Sequence, residues 1–584
     1  MRALSLFALC VLAKILVLAD QNLAGSIWSP IAYVWQDGLM ALLLGVVEWL
    51  SRKRPWLIGS AYLAAVVYLA VNVPLMRAMA SPLTWPMAQA AGGALADSIQ
   101  HYLTWANVGL MIIILGAGLV LPALMRRLPG KTQAVAWVSG VALVAAGPVA
   151  SARVDCSGRD RNVFVALVTS ALPHVRSSHE ERNWRASPLE RASASSSSPG
   201  SPDQVAQLRG AGAGRNIVMM VLESTGANSL QPYGATADPM PHLTELAAGA
   251  LVFENVYAVS PESIKGLFSV LCSTYPAFDT SPALWERVAT PSLAQRLSEA
   301  GYRTALFHSG RFMYLGMESV VRHRGFQVLE DAGAIGGNVQ SSFGVDEPAT
   351  VKRALAWIDS LSPGQRFFLM YLPIAGHHPY ATPEPGPFAD NPEASQYRNA
   401  LHYADDALGE LWRGLRERDL TRQTLFIVFG DHGEAFGEHD GNFGHTQFLY
   451  EENVRVPWLI VAPELWQKSV RVSQVASLID LAPTILDLLG LPIPGDYQGV
   501  SRLDAGERMA LFYTDYSLPL VGLRDGCWKF THELGSRRSQ LFNLREDPGE
   551  RLNLAQIHPE RAGAYRDRLQ HWSQAQKGRL RSFP

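Results

Sequence analysis

The chain has 584 residues, of which 48% are hydrophobic and only 17% charged, and its formal net charge is −2. This length allows two or more domains, the near-neutral charge gives no indication of nucleic acid as a partner, and four scattered cysteines are too few for a disulfide framework or a thiolate zinc site. The apolar excess lies in residues 1–155, where we predict five membrane helices, over about 3–19, 31–50, 56–76, 104–125 and 133–152. The alternative, buried helices of a soluble domain, would need protein to cover five such segments in series.

The loops between these helices predict an orientation. The segments 52–54 and 126–131 are rich in Lys and Arg, and the positive-inside rule places them in the cytoplasm. An odd number of spans then places everything after 155 outside the membrane. The first segment could instead be a signal peptide that ends at Ala19, but Lys14 within the apolar stretch argues against that. A transporter is disfavoured because Lys14, Asp37 and Glu48 are almost the only charges in the spans.

Residues 156–214 are predicted to be a juxtamembrane segment and linker, since 187–203 is rich in Ser and cannot bury a core. From 215 to 505, apolar runs alternate with helical patterns, which is typical of a predominantly parallel α/β sheet. The predicted strands are 216–222, 302–307, 366–372, 424–429 and 456–461, and the predicted helices are 241–249, 263–273, 291–300, 348–361, 395–417 and 476–489. Residues 506–584 are more polar and are predicted to form a small C-terminal α+β subdomain that completes the catalytic unit.

Two of these strands end at possible metal ligands. Glu223 follows the run 216–222, and Asp431 and His432 follow the run 424–430. In an open α/β sheet, ligands bind outside the carboxyl ends of the strands. Carboxylate and imidazole together suit a divalent cation such as Zn²⁺ or Mn²⁺. Each group alone could equally be a surface carboxylate or a turn histidine, but their conjunction predicts a metal site.

A hydroxyl-rich turn lies between these strands, at Val259-Ser260-Pro261-Glu262-Ser263. We predict that Ser260 is the nucleophile and a further metal ligand, because a cation and the following helix N-terminus would both stabilise its alkoxide. A capping role for Ser260 is the alternative. For Ser263 we favour the role of helix cap.

Several histidines follow predicted strands and could converge on the same edge. They are His308, His377, His439 and His445. At such positions they could ligate metal, donate to an oxyanion or protonate a leaving group, although each alone could be structural.

These segments resemble the sulfatase branch of the alkaline-phosphatase superfamily over about 215–555. Ser260-Pro-Glu-Ser263 is similar to the nucleophile signature, Gly310-Arg-Phe-Met-Tyr-Leu-Gly316 to the Gly-Lys-Trp-His-Leu-Gly segment, and Asp431-His-Gly-Glu434 to the second metal strand. The resemblance implies one divalent metal held by Glu223, Ser260, Asp431 and His432. It also implies that His308, Arg311 and Lys265 bind substrate, and that His377 or His445 protonates the leaving group.

The chain departs from the sulfatase pattern at the formylglycine signature, Cys/Ser-x-Pro/Ala-x-Arg. Relative to Ser260, the third and fifth positions of that signature hold Glu262 and Ile264. An unmodified hydroxyl nucleophile behind five membrane helices resembles lipoteichoic acid synthases and phosphoethanolamine transferases. The stretch 521–555, however, resembles hydrolytic sulfatases.

The sequence therefore predicts a membrane-anchored enzyme that cleaves or transfers a phosphoester on an envelope lipid or glycan, outside a bacterial-type cytoplasmic membrane. Its metal would be Mn²⁺ or Zn²⁺, or Ca²⁺ or Mg²⁺ if the substrate is a sulfate ester. A sulfatase is the alternative, and a non-catalytic binding protein with the same fold is disfavoured. The lipid bilayer is the expected partner, and no obligate protein partner is evident.

Overall fold

The computed structural model describes residues 1–19, 23, 25–90, 102–178, 205–338, 344–389, 392–466, 468–504 and 506–583. The chain forms two compact units, Met1–Pro173 with Gly437–Gln447, and His174–Phe436 with Phe448–Pro584. The division at Pro173 falls later than the expected boundary near 155, because the apolar residues after the last long helix pack with the first unit. The Ser-rich stretch 187–203 lies outside the described residues.

The first unit is helical. Its helices are α1 (Arg2–Leu18), α2 (Ser29–Leu50), α3 (Pro55–Met79), α4 (Trp85–Ala90), α5 (Trp105–Arg126), α6 (Gly130–Arg153) and α7 (Val163–Ser170). Among the described residues, α2, α3, α5 and α6 are long and apolar enough to cross a bilayer. The remaining predicted span is α1, the first helix of the chain, which has 17 residues. At about 1.5 Å per residue, its length is at the lower limit for crossing a hydrocarbon core of about 30 Å.

Lys14, Asp37 and Glu48, three charged residues of α1 and α2, each have a partner of opposite charge. Lys14 Nζ lies 2.7 Å from Asp37 Oδ2, and Asn162 Nδ2 donates to Asp37 Oδ1 over 2.6 Å. The amino group of Met1 lies 3.0 Å from Glu48 Oε2. Buried charges require such partners, and here the pairs hold α1 against α2.

The segment Gly437–Gln447 belongs to the first unit although it is far from that unit in sequence. Arg159 Nη2 lies 3.0 Å from Asp440 Oδ2, and Gln447 Nε2 donates to the carbonyl of Ala80 over 3.2 Å. The segment contains His439 and His445.

The second unit is built on an eight-stranded sheet. Its strands are β1 (Asn216–Leu222), β2 (Ala250–Tyr257), β3 (Arg303–His308), β4 (Val328–Glu330), β5 (Phe367–Leu372), β6 (Thr424–Gly430), β9 (Arg455–Val461) and β10 (Val470–Ser477). They lie in the order β10-β2-β9-β6-β1-β5-β3-β4. Two short strands are not part of this sheet: β7 (Ala435–Phe436), and β8 (Phe443–Gly444), which belongs to the first unit. All pairings in the large sheet are parallel except those of β9 with β2 and β6. The predicted mostly parallel α/β architecture is confirmed.

The central strands are buried on both faces, which explains their continuous apolar runs. On β1, Ile217, Met219 and Val221 pack into the core on one face. Val218, Met220 and Leu222 pack into the core on the other face. Polar residues therefore begin only where the strand ends.

Helices cover the two faces of this sheet and the C-terminal part of the chain. They are α8 (Pro241–Ala247), α9 (Ser263–Cys272), α10 (Pro282–Glu286), α11 (Leu293–Glu299), α12 (Met317–Val321), α13 (Ala332–Ile335), α14 (Glu347–Asp359), α15 (Pro392–Glu417), α16 (Glu451–Val454), α17 (Leu481–Leu488) and α18 (Pro559–Arg581). The helix predicted over 291–300 begins later, at Leu293, because Ser292 caps it in a capping box with Gln295.

The C-terminal residues form the predicted small subdomain. Its antiparallel sheet comprises β11 (Met509–Thr514), β12 (Leu520–Asp525), β13 (Trp528–Glu533) and β14 (Ser539–Asn543) in that order. The strands β12 and β13 form a hairpin that turns at Gly526, with φ +54°. Tyr565 and Trp572 of α18 share a core with this sheet.

Candidate active site

Glu223 and Asp431 come together because of strand register. β1 and β6 are parallel neighbours in which Leu222 pairs with Gly430. The next residue on each strand is Glu223 or Asp431, so both carboxylates leave the sheet at the same edge. The backbone N–H of Ser224 donates to Asp431 Oδ1 over 2.9 Å, which ties the two strand ends together.

His432 presents one ring nitrogen to these carboxylates. Its Nδ1 lies 3.0 Å from the carbonyl of Gly433, and since a carbonyl only accepts, this contact places the proton on Nδ1. Nε2 is left with its lone pair, 3.6 Å from Glu223 Oε1 and 3.5 Å from Asp431 Oδ2. The fully buried imidazole is therefore oriented as a metal ligand or hydrogen-bond acceptor.

The hydroxyl that contacts both Glu223 and His432 is that of Ser263, whereas the Ser224 hydroxyl donates to Glu223 Oε1 over 3.2 Å. Ser263 Oγ donates to Glu223 Oε1 over 2.9 Å and lies 3.1 Å from His432 Nε2. Ser263 is the first residue of α9, and Glu262 occupies the N-cap position without a side-chain cap. The capping role expected for Ser263 is therefore wrong, and its hydroxyl faces the predicted metal ligands instead.

Ser260, the predicted nucleophile and fourth metal ligand, lies in the turn before α9. Its side chain is buried, and its Oγ makes no hydrogen bond with any described residue. The structure thus brings Ser263, three residues later, to Glu223 and His432. Relative to Ser263, the third and fifth positions of the formylglycine signature hold Lys265 and Leu267, so this serine does not meet the signature either.

The donor set fits a divalent cation. Glu223, Asp431 and His432 each offer one ligand atom, and these atoms all lie within 4.8 Å of one another. Burial and the neighbouring Asp431 raise the pKa of the Glu223 carboxyl to about 8. Two buried carboxylates side by side require a compensating positive charge, and two oxygens with one imidazole suit a metal such as Mn²⁺ or Zn²⁺.

A small cavity adjoins these ligands. It is lined by Glu223, Ser263 and Asp431 on the polar side and by residues such as Leu267 and Leu372 on the apolar side. A substrate group placed there would meet the Ser263 hydroxyl at the sheet edge.

Two of the predicted histidines follow strands on the same side of β1. Burial lowers the pKa of His308 to about 4, and its Nδ1 lies 2.9 Å from the carbonyl of Leu372. Burial also lowers the pKa of His377, despite the opposing fields of Glu434 and Asp431. A lowered pKa favours the neutral imidazole, which can accept a proton and can pass one on only after it has taken it up.

Arg311 and Lys265, the predicted substrate-binding cations, are in different environments. Arg311 is half-buried, and no ion pair with a described residue is found for it. Lys265 is buried, with Nζ 2.5 Å from Glu262 Oε1 and paired with Asp515 as well. Burial alone would lower the pKa of Lys265, but Asp515 and Glu262 raise it above its usual value.

His445 lies in Gly437–Gln447, within the first compact unit. Its predicted role as a proton donor stays a prediction.

Glu434 is a further buried acid near the site. Tyr380 Oη donates to Glu434 Oε1 over 2.9 Å. Burial raises the pKa of this carboxyl to about 7. The Asp-His-Gly-Glu segment contains it, but sequence reasoning assigned it no role.

Comparisons with known proteins match the part of the chain that contains this site. The sequence model of the sulfatase family matches residues 215–491, and the model for the C-terminal region of N-sulphoglucosamine sulphohydrolase matches residues 437–562. Arylsulfatase K of Mus musculus is 29% identical over 242 residues, which are 36% of this chain and 43% of that protein. The lipoteichoic acid synthase-like YvgJ of Bacillus subtilis (strain 168) is 23% identical over 327 residues, 53% of this chain and 52% of YvgJ. The chain thus matches about half or less of the length of each of these two relatives.

Solved structures show the same fold. The lipoteichoic acid synthase LtaP from Listeria monocytogenes superposes with a TM-score of 0.54 at 19% identity, covering 66% of this chain and 98% of LtaP. A protein of the alkaline phosphatase superfamily from Vibrio parahaemolyticus gives a TM-score of 0.52 at 21% identity, covering 65% of this chain and 96% of that chain. At these identities the likeness concerns the fold alone.

Proposed function

Because this chain belongs to the sulfatase family over residues 215–491, whose members act on sulfate or phosphate esters, we propose that it cleaves or transfers a phosphoester through Ser263. The proposed substrate carries a phosphoglycerol or phosphoethanolamine type of group on an envelope lipid or glycan. The helical first unit anchors the enzyme in the bilayer.

The observation that carries this proposal is the contact of one hydroxyl with two potential metal ligands. Ser263 Oγ lies 2.9 Å from Glu223 Oε1 and 3.1 Å from His432 Nε2. A serine hydroxyl is a weak nucleophile unless a base, a metal or a positive field stabilises its alkoxide. A divalent cation held by Glu223, Asp431 and His432 would supply that stabilisation and neutralise charge on the transferred group.

The proposed reaction has two displacements. Ser263 Oγ loses its proton and forms a bond to phosphorus, while the bond from phosphorus to the leaving oxygen breaks and that oxygen takes up a proton. A water or acceptor hydroxyl then loses its proton and forms a bond to phosphorus, while the bond from phosphorus to Ser263 Oγ breaks and Oγ takes up a proton. We assign the proton transfers to His377 and the contacts with non-bridging oxygens to Arg311 and His308.

Phosphorus is favoured over sulfur because neither serine of the turn meets the formylglycine signature. At Ser263 the Pro/Ala position is Lys265 and the Arg position is Leu267. A sulfuric ester hydrolase is the second candidate, supported by the family match and by the likeness to arylsulfatase K. In that case Ca²⁺ or Mg²⁺ would replace Mn²⁺ or Zn²⁺.

One experiment separates the two candidates. The purified full chain is assayed with bis(p-nitrophenyl) phosphate and with p-nitrophenyl sulfate, and the peptide that contains Ser263 is weighed by mass spectrometry. We expect turnover of the phosphodiester and an unmodified serine. Turnover of the sulfate alone, with a peptide lighter by two hydrogens, would identify a sulfatase.

The location is also a proposal. The basic loops at 52–54 and 126–131 and the apolar helices support an orientation with the second unit outside the cytoplasmic membrane. This orientation requires α1 to cross the membrane as well. The four helices α2, α3, α5 and α6 alone are an even number of spans, which would leave the two ends of the membrane unit on the same side. A periplasm-active reporter fused after Ser178 should be active and one fused after Pro129 silent. The opposite pattern would contradict the orientation.

A further inference from the structure

Lys265 is held by carboxylates on two sides. It lies in the first turn of α9, two residues after Ser263, and only 5% of it is exposed. Its Nζ contacts Glu262, the residue before the helix, and Asp515, which follows β11 of the small sheet. The ammonium also lies 5.1 Å from the ring centroid of Tyr513. Lys265 is therefore already fully engaged and is poorly placed to bind substrate.

Asp515 links two segments with its two oxygens. Oδ1 pairs with Lys265, and Oδ2 accepts from the backbone N–H of Asp279 over 2.8 Å. Asp279 has φ +51°, a left-handed conformation that is uncommon outside glycine and that the contact with Asp515 helps to hold. Asp515 thus fixes both the start of α9 and the turn that follows this helix.

The chain of contacts continues from Asp279. Its carboxylate accepts from Lys577 Nζ over 2.6 Å and lies 3.0 Å from His174 Nδ1. Lys577 belongs to α18, so two residues of the C-terminal subdomain, Lys577 and Asp515, hold Asp279. Each buried charge in this network has a partner of opposite sign, and loss of one member would change the charge balance of the members it contacts.

We propose that Asp515 is a positioning residue for the nucleophile, acting through Lys265. The proposal rests on the proposed function, in which Ser263 attacks the ester. By holding the first turn of α9, the Asp515–Lys265 pair keeps the Ser263 hydroxyl against Glu223 and His432. Displacement of a reacting group by about 1 Å can cost on the order of 100-fold in rate. The small C-terminal sheet thereby contributes to catalysis without touching the substrate.

The test uses the full chain in detergent with Asp515→Asn, Lys265→Met and the double variant. The probe substrates are bis(p-nitrophenyl) phosphate and p-nitrophenyl sulfate, and kcat, KM and bound Mn²⁺ are measured. Each single variant should lower kcat on the order of 10- to 100-fold with KM nearly unchanged and metal retained. The double variant should be no slower than the slower single variant, because both changes remove the same contact.

Glu550→Gln is the matched control. Glu550 is also buried, lies in the C-terminal subdomain and pairs with a lysine, with its Oε1 3.0 Å from Lys529 Nζ. This variant should lower the melting temperature and leave kcat unchanged.

Wild-type kcat in Asp515→Asn, beside an inactive Ser263→Ala, would overturn the positioning role. A large rise in KM with unchanged kcat in Lys265→Met would overturn it too, because Lys265 would then bind substrate. Should Asp515→Asn not fold, Lys265→Met decides by the same criteria. Full activity in Ser263→Ala would instead refute the proposed function itself.

Discussion

The hydroxyl of Ser263 donates to Glu223 Oε1 over 2.9 Å, across 40 residues of chain. The strand β1 delivers Glu223 to the sheet edge, and the helix α9 begins with Ser263 at the same place. This contact between a strand end and a helix start joins a candidate nucleophile to a candidate metal ligand. Two of the predictions below test this site, and two test buried charges elsewhere in the chain.

Ser263→Ala should abolish turnover while substrate still binds, because the transition state loses its covalent partner. We expect a fall in kcat on the order of 10³-fold or more. Ser263→Thr should retain part of the activity, since it keeps a hydroxyl. Steady-state kinetics on bis(p-nitrophenyl) phosphate provide the measurement.

Ser260→Ala is the control for this series. The Ser260 hydroxyl has no hydrogen bond with a described residue, so its loss should leave most of the activity. An inactive Ser260→Ala beside an active Ser263→Ala would return the nucleophile to Ser260.

Removal of any one of the three metal ligands should lower the metal content. Glu223→Ala, Asp431→Ala and His432→Ala each delete a donor from a cluster whose atoms lie within 4.8 Å of one another, and each should weaken Mn²⁺ binding at least about tenfold. Elemental analysis of the purified full chain measures this. Asp405→Asn is the control, because this buried carboxylate is not part of the cluster. It accepts hydrogen bonds from the backbone N–H groups of His242 and Leu243 at the start of α8, and its loss should leave the metal content unchanged. Full occupancy in all three ligand variants would place the metal elsewhere.

Much of this site could be predicted from sequence because it depends on β1 and β6. Both strands are buried on two faces, so their apolar runs have sharp ends at Glu223 and Asp431. Parallel pairing then brings those ends together, whichever helices cover the sheet. The strands β2 and β10 were missed, because polar residues such as Glu254 and Arg471 interrupt their apolar runs.

The choice between Ser260 and Ser263 could not be made in the same way. The start of α9 was predicted correctly at residue 263, but which hydroxyl of the turn reaches Glu223 and His432 depends on the path of residues 259–263 in three dimensions, which no local pattern gives. A start at Ser263 turns its hydroxyl toward Glu223 and makes Glu262 the N-cap. The Lys265–Asp515 pair joins residues 250 positions apart and follows from no local pattern.

The buried pair between α1 and α2 should control the stability of the membrane unit. Lys14→Met leaves Asp37 without its cation at a site where only 1% of that side chain is exposed, and breaking a buried pair costs about 3 kcal/mol or more. Lys14→Met/Asp37→Asn should recover part of the loss, since it removes the uncompensated charge. Glu48→Gln is the control, because its pair with the amino terminus is about a quarter exposed. In thermal unfolding in detergent, Lys14→Met should have the lowest melting temperature of these proteins. Equal melting temperatures for Lys14→Met and wild type would contradict a structural role for the Lys14–Asp37 pair.

Glu347 should make the stability of the second unit depend on pH. Burial raises the pKa of its carboxyl from 4.5 to about 7, and hydrogen bonds from Tyr371, Ser309 and the backbone only partly oppose this shift. Because the folded state holds the proton more tightly than the unfolded state, the stability from this group is fully present below pH 4.5 and is lost as pH rises through about 7. The shift corresponds to at most about 3 kcal/mol.

Glu347→Gln tests this dependence because the amide cannot ionise but its oxygen can still accept from the N–H groups of Ile374 and Ala375, which Glu347 now binds over 2.9 and 3.1 Å. Melting temperatures of the wild-type and Glu347→Gln full chains are measured between pH 5 and pH 8, because this range includes the pKa of about 7. The variant should lose less stability than the wild type across this window, and the two curves should differ most at the alkaline end. Parallel curves would show that Glu347 does not carry its proton in the folded protein.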